Sequence, residues 1–211
     1  MQRIYWEAVV LSLVIGALAL ALGFEELSVS VFLAPQPETY DGKVIWHAGW
    51  DFGSRWRLRN ASSLDVDVQS DLLLSALTTS LIYRQDVSEI VTLGGGSSIV
   101  WYGQGAMITA AAIGETHFAA APSLALDART SVPVVGIYWQ DNAWQPASGP
   151  ILPTVSVGAQ VFPHGPWSVS VDAFAQPLPL PATIFPDAIG RLNDEFVVLP
   201  SFAFGLSRVS P

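Results

Sequence analysis

The stretch from Trp46 to Arg59 constrains the fold more than any other. Its even positions carry Trp46, Ala48, Trp50, Phe52, Ser54, Trp56 and Leu58. Its odd positions carry His47, Gly49, Asp51, Gly53, Arg55, Arg57 and Arg59. Successive side chains of a strand point to opposite faces, so one face here is aromatic and the other carries glycine and charge. A strand on the surface of a soluble domain has no reason to expose that many rings. A strand with lipid on one side and a polar lumen on the other must divide its residues in this way.

The composition agrees with an unusual solvent. Hydrophobic residues make up 51% of the 211 and charged residues only 13%, against about 25% charged in an ordinary soluble domain. Lys occurs once, at Lys43. The net charge of −9, with no basic patch, argues against a nucleic-acid partner and against docking on an anionic leaflet through a polybasic segment. The absence of Cys excludes disulfides, thiolate metal sites and a Cys nucleophile.

Residues 1–21 read as a signal peptide or membrane anchor, and residues 22–211 as the folded domain. Arg3 precedes an apolar run from Ala8 to Leu22, and Ala19-Leu20-Ala21 fits a small-residue cleavage site. A retained helix from Ile4 to Phe24 would be long enough to span a bilayer and to meet membrane-protein partners. Either way everything after residue 25 is exported.

Beyond residue 25 the pattern is all-β. Period-2 runs recur at Leu27–Leu33, Leu64–Gln69, Ile99–Met107, Leu124–Arg129, Thr154–Val161, Trp167–Ala173 and Ser201–Ser207. Pro163-His164-Gly165-Pro166 joins two of them as a hairpin. Gly94-Gly95-Gly96, Asn142–Pro150 and Gln176–Asp194 read as loops. Eight to ten strands result. The count is open at Leu64–Arg84, which has no clear turn and changes phase near Ser70–Leu72. It is also open at Val132–Trp139, which Pro133 interrupts.

The polar faces of these runs carry Ser, Gly, Ala, Thr and Gln rather than Lys and Glu. Small polar residues suit the lumen of a narrow barrel. Trp46 and Trp56 lie ten residues apart on one face, roughly 33 Å of strand at about 3.3 Å per residue. Tilted by about 45°, that covers roughly 23 Å of membrane normal, close to the apolar band of a membrane barrel. On these alternating and aromatic faces the chain resembles the small bacterial outer-membrane β-barrels. The resemblance is architectural, covers roughly residues 25–208 and carries no family motif. It implies an antiparallel up-and-down β-barrel in the bacterial outer membrane, with a structural or small-solute channel role and the lipid bilayer as partner. The alternative is a β-sandwich on the extracytoplasmic face of the inner membrane, serving as a binding module or subunit. Pro133, Pro153 and Pro200 bear on that choice, because a closed barrel offers proline no edge.

The residue assignments follow from parity. Trp46, Trp50, Phe52 and Trp56 should face lipid. Arg55, Arg57, Arg59, Asp65, Asp67 and Asp71 should form a charge ladder in the lumen, with opposite charges meeting across strands. A hairpin near Asn60 sets Arg57 opposite Asp65 and Arg55 opposite Asp67, or, slipped by one Arg, Arg59 opposite Asp65. Asp65 to Asp71 has the spacing of a calcium loop but lacks its Gly and its closing Glu. His47, His117 and His164 lack metal or triad spacing, so no catalytic residue, metal or cofactor is implied.

Overall fold

The computed structural model describes residues 24–37, 44–58, 61–71, 76–102, 105–140, 143–146, 153–161, 166–178, 191–193 and 196–209. The segment 1–21 lies outside them. The described residues form twelve strands and no helix. The strands are β1 (Glu26–Pro37), β2 (Val44–Arg57), β3 (Ser62–Asp71), β4 (Ala76–Asp86), β5 (Val91–Tyr102) and β6 (Gly105–Ala121). They continue as β7 (Leu124–Gln140), β8 (Ala143–Pro146), β9 (Thr154–Val161), β10 (Trp167–Leu178), β11 (Arg191–Asn193) and β12 (Phe196–Val209).

Every pairing is antiparallel and between neighbours, in the order β1-β2-β3-β4-β5-β6-β7-β9-β10-β12. β1 then pairs β12 from Glu26↔Val209 to Leu33↔Phe202, which closes a ring of ten strands. The short β8 and β11 extend β7 and β12 beyond that ring. Among the described residues the sheet closes on itself and no second sheet packs on it, so the fold is a barrel and not the sandwich alternative.

Register separates the two faces of the wall. Val29, Val31 and Leu33 stand opposite Phe52, Trp50 and Ala48 on one side and Leu206, Phe204 and Phe202 on the other. Directly opposed residues share a face. That face is the outer one: Val31 is 52% exposed and Phe204 54%. Ser28 and Ser30, of the other parity, line the interior. The burial pattern is therefore inverted relative to a soluble protein. Many large apolar side chains lie outside, although Phe32, Ile82 and Phe174 point into the lumen, while Asp65, Arg84, Thr92, Glu115, Ser156, Ser168 and Ser207 are buried.

Several sequence expectations change here. Gly94-Gly95-Gly96 lies inside β5, not in a loop. A Cβ at Gly94 would sit 2.4 Å from the Tyr83 carbonyl, and one at Gly96 2.8 Å from that of Leu81. The glycines thus allow β4 and β5 to approach closely. The run Ile99–Met107 is not one strand: β5 ends at Tyr102 and β6 starts at Gly105. The phase change near Ser70 marks the hairpin between β3 and β4. The stretches read as loops after residues 142 and 176 contain β8, the end of β10 and β11.

The prolines find places that a closed barrel allows. Beside Pro133 the β6–β7 register shifts between Ala110↔Val135 and Ala111↔Pro133, so Val134 is a bulge, one of the sites where a strand tolerates a missing donor. Pro153 precedes β9. Pro200 lies past Phe202, where β12 has already left β1.

Candidate functional site

The lumen begins with a belt of alternating charges at the end where β2 turns into β3. Glu26 of β1 accepts from Arg55 Nη1 of β2 at 3.2 Å. Arg55 clasps Asp65 of β3 through Nε at 3.0 Å and Nη2 at 3.3 Å. Asp65 also meets Arg84 of β4. Arg84 reaches past the inward Gly94 of β5 to Glu115 of β6. Glu115 meets Arg129 of β7 at 3.2 Å. Six residues on six strands thus alternate in sign, and the glycine in β5 leaves room for Arg84 to span the gap. Asp65, Arg84 and Glu115 are almost wholly buried, so each charge is held by a partner rather than by water.

The remaining strands contribute neutral groups near the same end. Gln160 Nε2 donates to Ser168 Oγ at 2.7 Å and to Ser207 Oγ at 3.4 Å, and the two hydroxyls meet at 2.5 Å. Charge thus lines one side of the lumen at this end, and hydroxyl and amide groups line the other.

Above the belt, toward the ends joined by residues 141–153 and 179–195, the lumen holds a cavity of about 540 Å³. Asp51, Asp67, Asp172 and Arg129 line it, with Phe32, Phe174 and hydroxyls from Ser28, Ser30, Ser80, Ser131, Thr154, Ser156, Ser170 and Ser201. Inward glycines stand beside these acids. A Cβ at Gly158 would lie 2.3 Å from Asp172 Oδ1 and 2.6 Å from Asp127 Oδ2, and one at Gly53 2.8 Å from Asp67 Oδ1.

The residues singled out from sequence fall as follows. Arg55 opposes Asp65, Gly53 opposes Asp67 and Gly49 opposes Asp71. The reversal is centred one residue earlier than the nearer register expected from sequence. Leu58 N–H donates to the Ser62 carbonyl at 2.8 Å, and Ala61 takes φ 56°, the left-handed conformation that lets a short loop reverse. Arg57 consequently opposes Ser63. Its side chain is 73% exposed at the rim, where it pairs with Glu25 at 2.8 Å. Arg59 lies outside the described residues. Trp46, Trp50, Phe52 and Trp56 share the outer face with Val29 and Val31, and Trp46 stacks on Phe202 with centroids 6.5 Å apart. Asp65, Asp67 and Asp71 belong to a strand, not a calcium loop, and no cluster of metal-ligating side chains occurs among the described residues. His117 stands 3.8 Å from Glu115, and His164 is outside the described residues.

Sequence reading missed Glu26, Arg84, Glu115 and Arg129. The pair Glu115↔Arg129 was within reach, because the two residues are directly opposed across the tight β6–β7 turn. Arg84 was hidden by the unread hairpin before β4.

No family model matches the chain, and no curated protein matches it. Among solved structures it is similar to bacterial outer-membrane barrels. One is the KdgM porin, at 10% identity over 88% of this chain and 99% of that one, with a TM-score of 0.46. Another is the NanC porin, at 8% identity over 87% and 100%, with a TM-score of 0.45. A third is Neisserial surface protein A, at 9% identity over 88% and 96%, with a TM-score of 0.38.

Proposed function

We propose that this chain is a bacterial outer-membrane β-barrel whose lumen is stoppered at one end, so that it does not conduct as an open diffusion pore. The observation that supports the membrane reading is the outer face. Valines, leucines and aromatics stand exposed on successive strands, including Val157 at 56% and Leu206 at 47%, a surface that water would not stabilise. Trp46, Trp50, Phe52 and Trp56 contact lipid there, the end rings near the interfaces. The connections at residues 87–90 and 122–123 are short and lie at the belt end, whereas those at residues 141–153 and 179–195 lie at the other. By the usual asymmetry of such barrels the belt end faces the periplasm.

The belt favours the structural role over a solute channel, since an ion crossing it would pass fixed, mutually paired charges of both signs that are mostly buried. Reconstitution of the full chain in planar bilayers tests this. Wild type should show little steady conductance, and Glu115→Ala should raise it. A steady, porin-sized conductance in wild type would refute the stopper. Recovery of the protein with the inner rather than the outer membrane of its host would refute the location.

A further inference from the structure

The cavity above the belt has a use that a stopper does not need. Ten strands leave it unfilled, and the inward glycines at 53 and 158 stand where any side chain would run into Asp67, Asp127 or Asp172. The groups that reach it are unequal in sign. Asp51, Asp67 and Asp172 line the cavity against Arg129 alone, and Arg129 is already engaged by Glu115 at 3.2 Å. A volume of about 540 Å³ lies within the range of small-molecule sites. Two rings, Phe32 and Phe174, and a set of hydroxyls complete the lining, which suits a cation carrying both apolar and hydrogen-bonding parts.

We infer, on the barrel reading above, that this cavity is a vestibule that admits small organic cations in preference to anions, with Asp51, Asp67 and Asp172 setting the preference. A recess walled by one sign of charge concentrates its counter-ions by tenfold or more. Arg129 faces the same space but adds little positive field, because its guanidinium is shared with Glu115. The hydroxyls adapt to either sign, so they do not decide it.

The chain has no Cys, so one introduced thiol reports without background. Ser30 lies directly opposite Asp51 and lines the cavity. Ser30→Cys in the full chain, folded in phosphatidylcholine vesicles at pH 8.5, would be treated with cationic, neutral and anionic methanethiosulfonates of similar size. The cationic-to-anionic rate ratio, divided by the same ratio for free cysteine, cancels the reactivity of the thiolate. The expected value is on the order of tenfold, falling toward unity when Asp51→Asn and Asp172→Asn are added. A normalised ratio near one in the parent, a ratio unmoved by the Asn changes, or a thiol closed to all three reagents would each overturn the inference. Val157→Cys on the outer face separates this from failure of the membrane reading. It stays protected from all three reagents if the wall faces lipid and reacts if it does not, whatever the lumen does.

Discussion

Glu115→Gln is the sharpest perturbation of the belt. The Glu115 side chain is 6% exposed and holds two guanidinium groups, Arg84 at 10% and Arg129 at 32% exposure. Removing its charge leaves both short of an anion. Breaking a buried pair costs about 3–5 kcal/mol because the remaining charge stays desolvated. The two losses do not double this figure, since Arg84 keeps Asp65 and Arg129 is partly wet. With an m-value of about 2 kcal/mol per molar urea, the unfolding midpoint should fall by roughly 1.5–2.5 M. Arg57→Ala is the internal control. Its partner Glu25 sits at the exposed rim, so the loss should be about 0–1 kcal/mol, or less than about 0.5 M. Reversible urea titration of the full chain in lipid vesicles, followed by tryptophan emission, measures both. If the Glu115→Gln midpoint moves no further than that of Arg57→Ala, the belt is solvated and the stopper reading fails with it.

Exchanging Arg55 and Asp65, as Arg55→Asp with Asp65→Arg, should not restore stability in the same titration. The new arginine would meet Arg84 and the new aspartate Glu26, whereas an isolated pair would tolerate the exchange. Gly94→Ala and Gly96→Ala should each cost about 1–3 kcal/mol by pressing a methyl on a neighbouring backbone carbonyl. Gly95→Ala, whose Cβ would find only the Ala111 carbonyl at 3.5 Å, should stay within about 0.5 kcal/mol; equal losses would refute the close-approach account of β5. Ala61→Gly should raise the midpoint slightly, since φ 56° costs a non-glycine residue about 1 kcal/mol.

The solvent of this protein was more legible than its chemistry. Parity over Val44–Arg57 separates the outer from the inner face without any knowledge of partners, because neighbouring residues of a strand point to opposite sides of the wall. Charge pairing requires register, and register depends on turns. The turn after Leu58 was expected one residue later than it falls, which moved Asp65 from Arg55 to Arg57. Glycines misled for a related reason. In water three in a row suggest a reversal, but in a crowded wall they mark where strands and long side chains need space.

Two turns inside period-2 runs also decide what the lumen can hold. Taken as continuous runs, Leu64–Arg84 and Ile99–Met107 would each supply one strand and give eight in the ring. Hairpins within them, between Asp71 and Ala76 and between Tyr102 and Gly105, give ten. Barrel diameter grows roughly linearly with strand number, and eight strands enclose little more than their own side chains. With eight, inward carboxylates such as Asp51, Asp67 and Asp172 would have to be paired across a filled core, like Asp65 in the belt. With ten, they border a cavity of about 540 Å³, and the belt occupies one end instead of the whole length. The difference between a filled interior and one with a cavity therefore rests on two hairpins, and the chemistry of the interior follows from the strand count that they set.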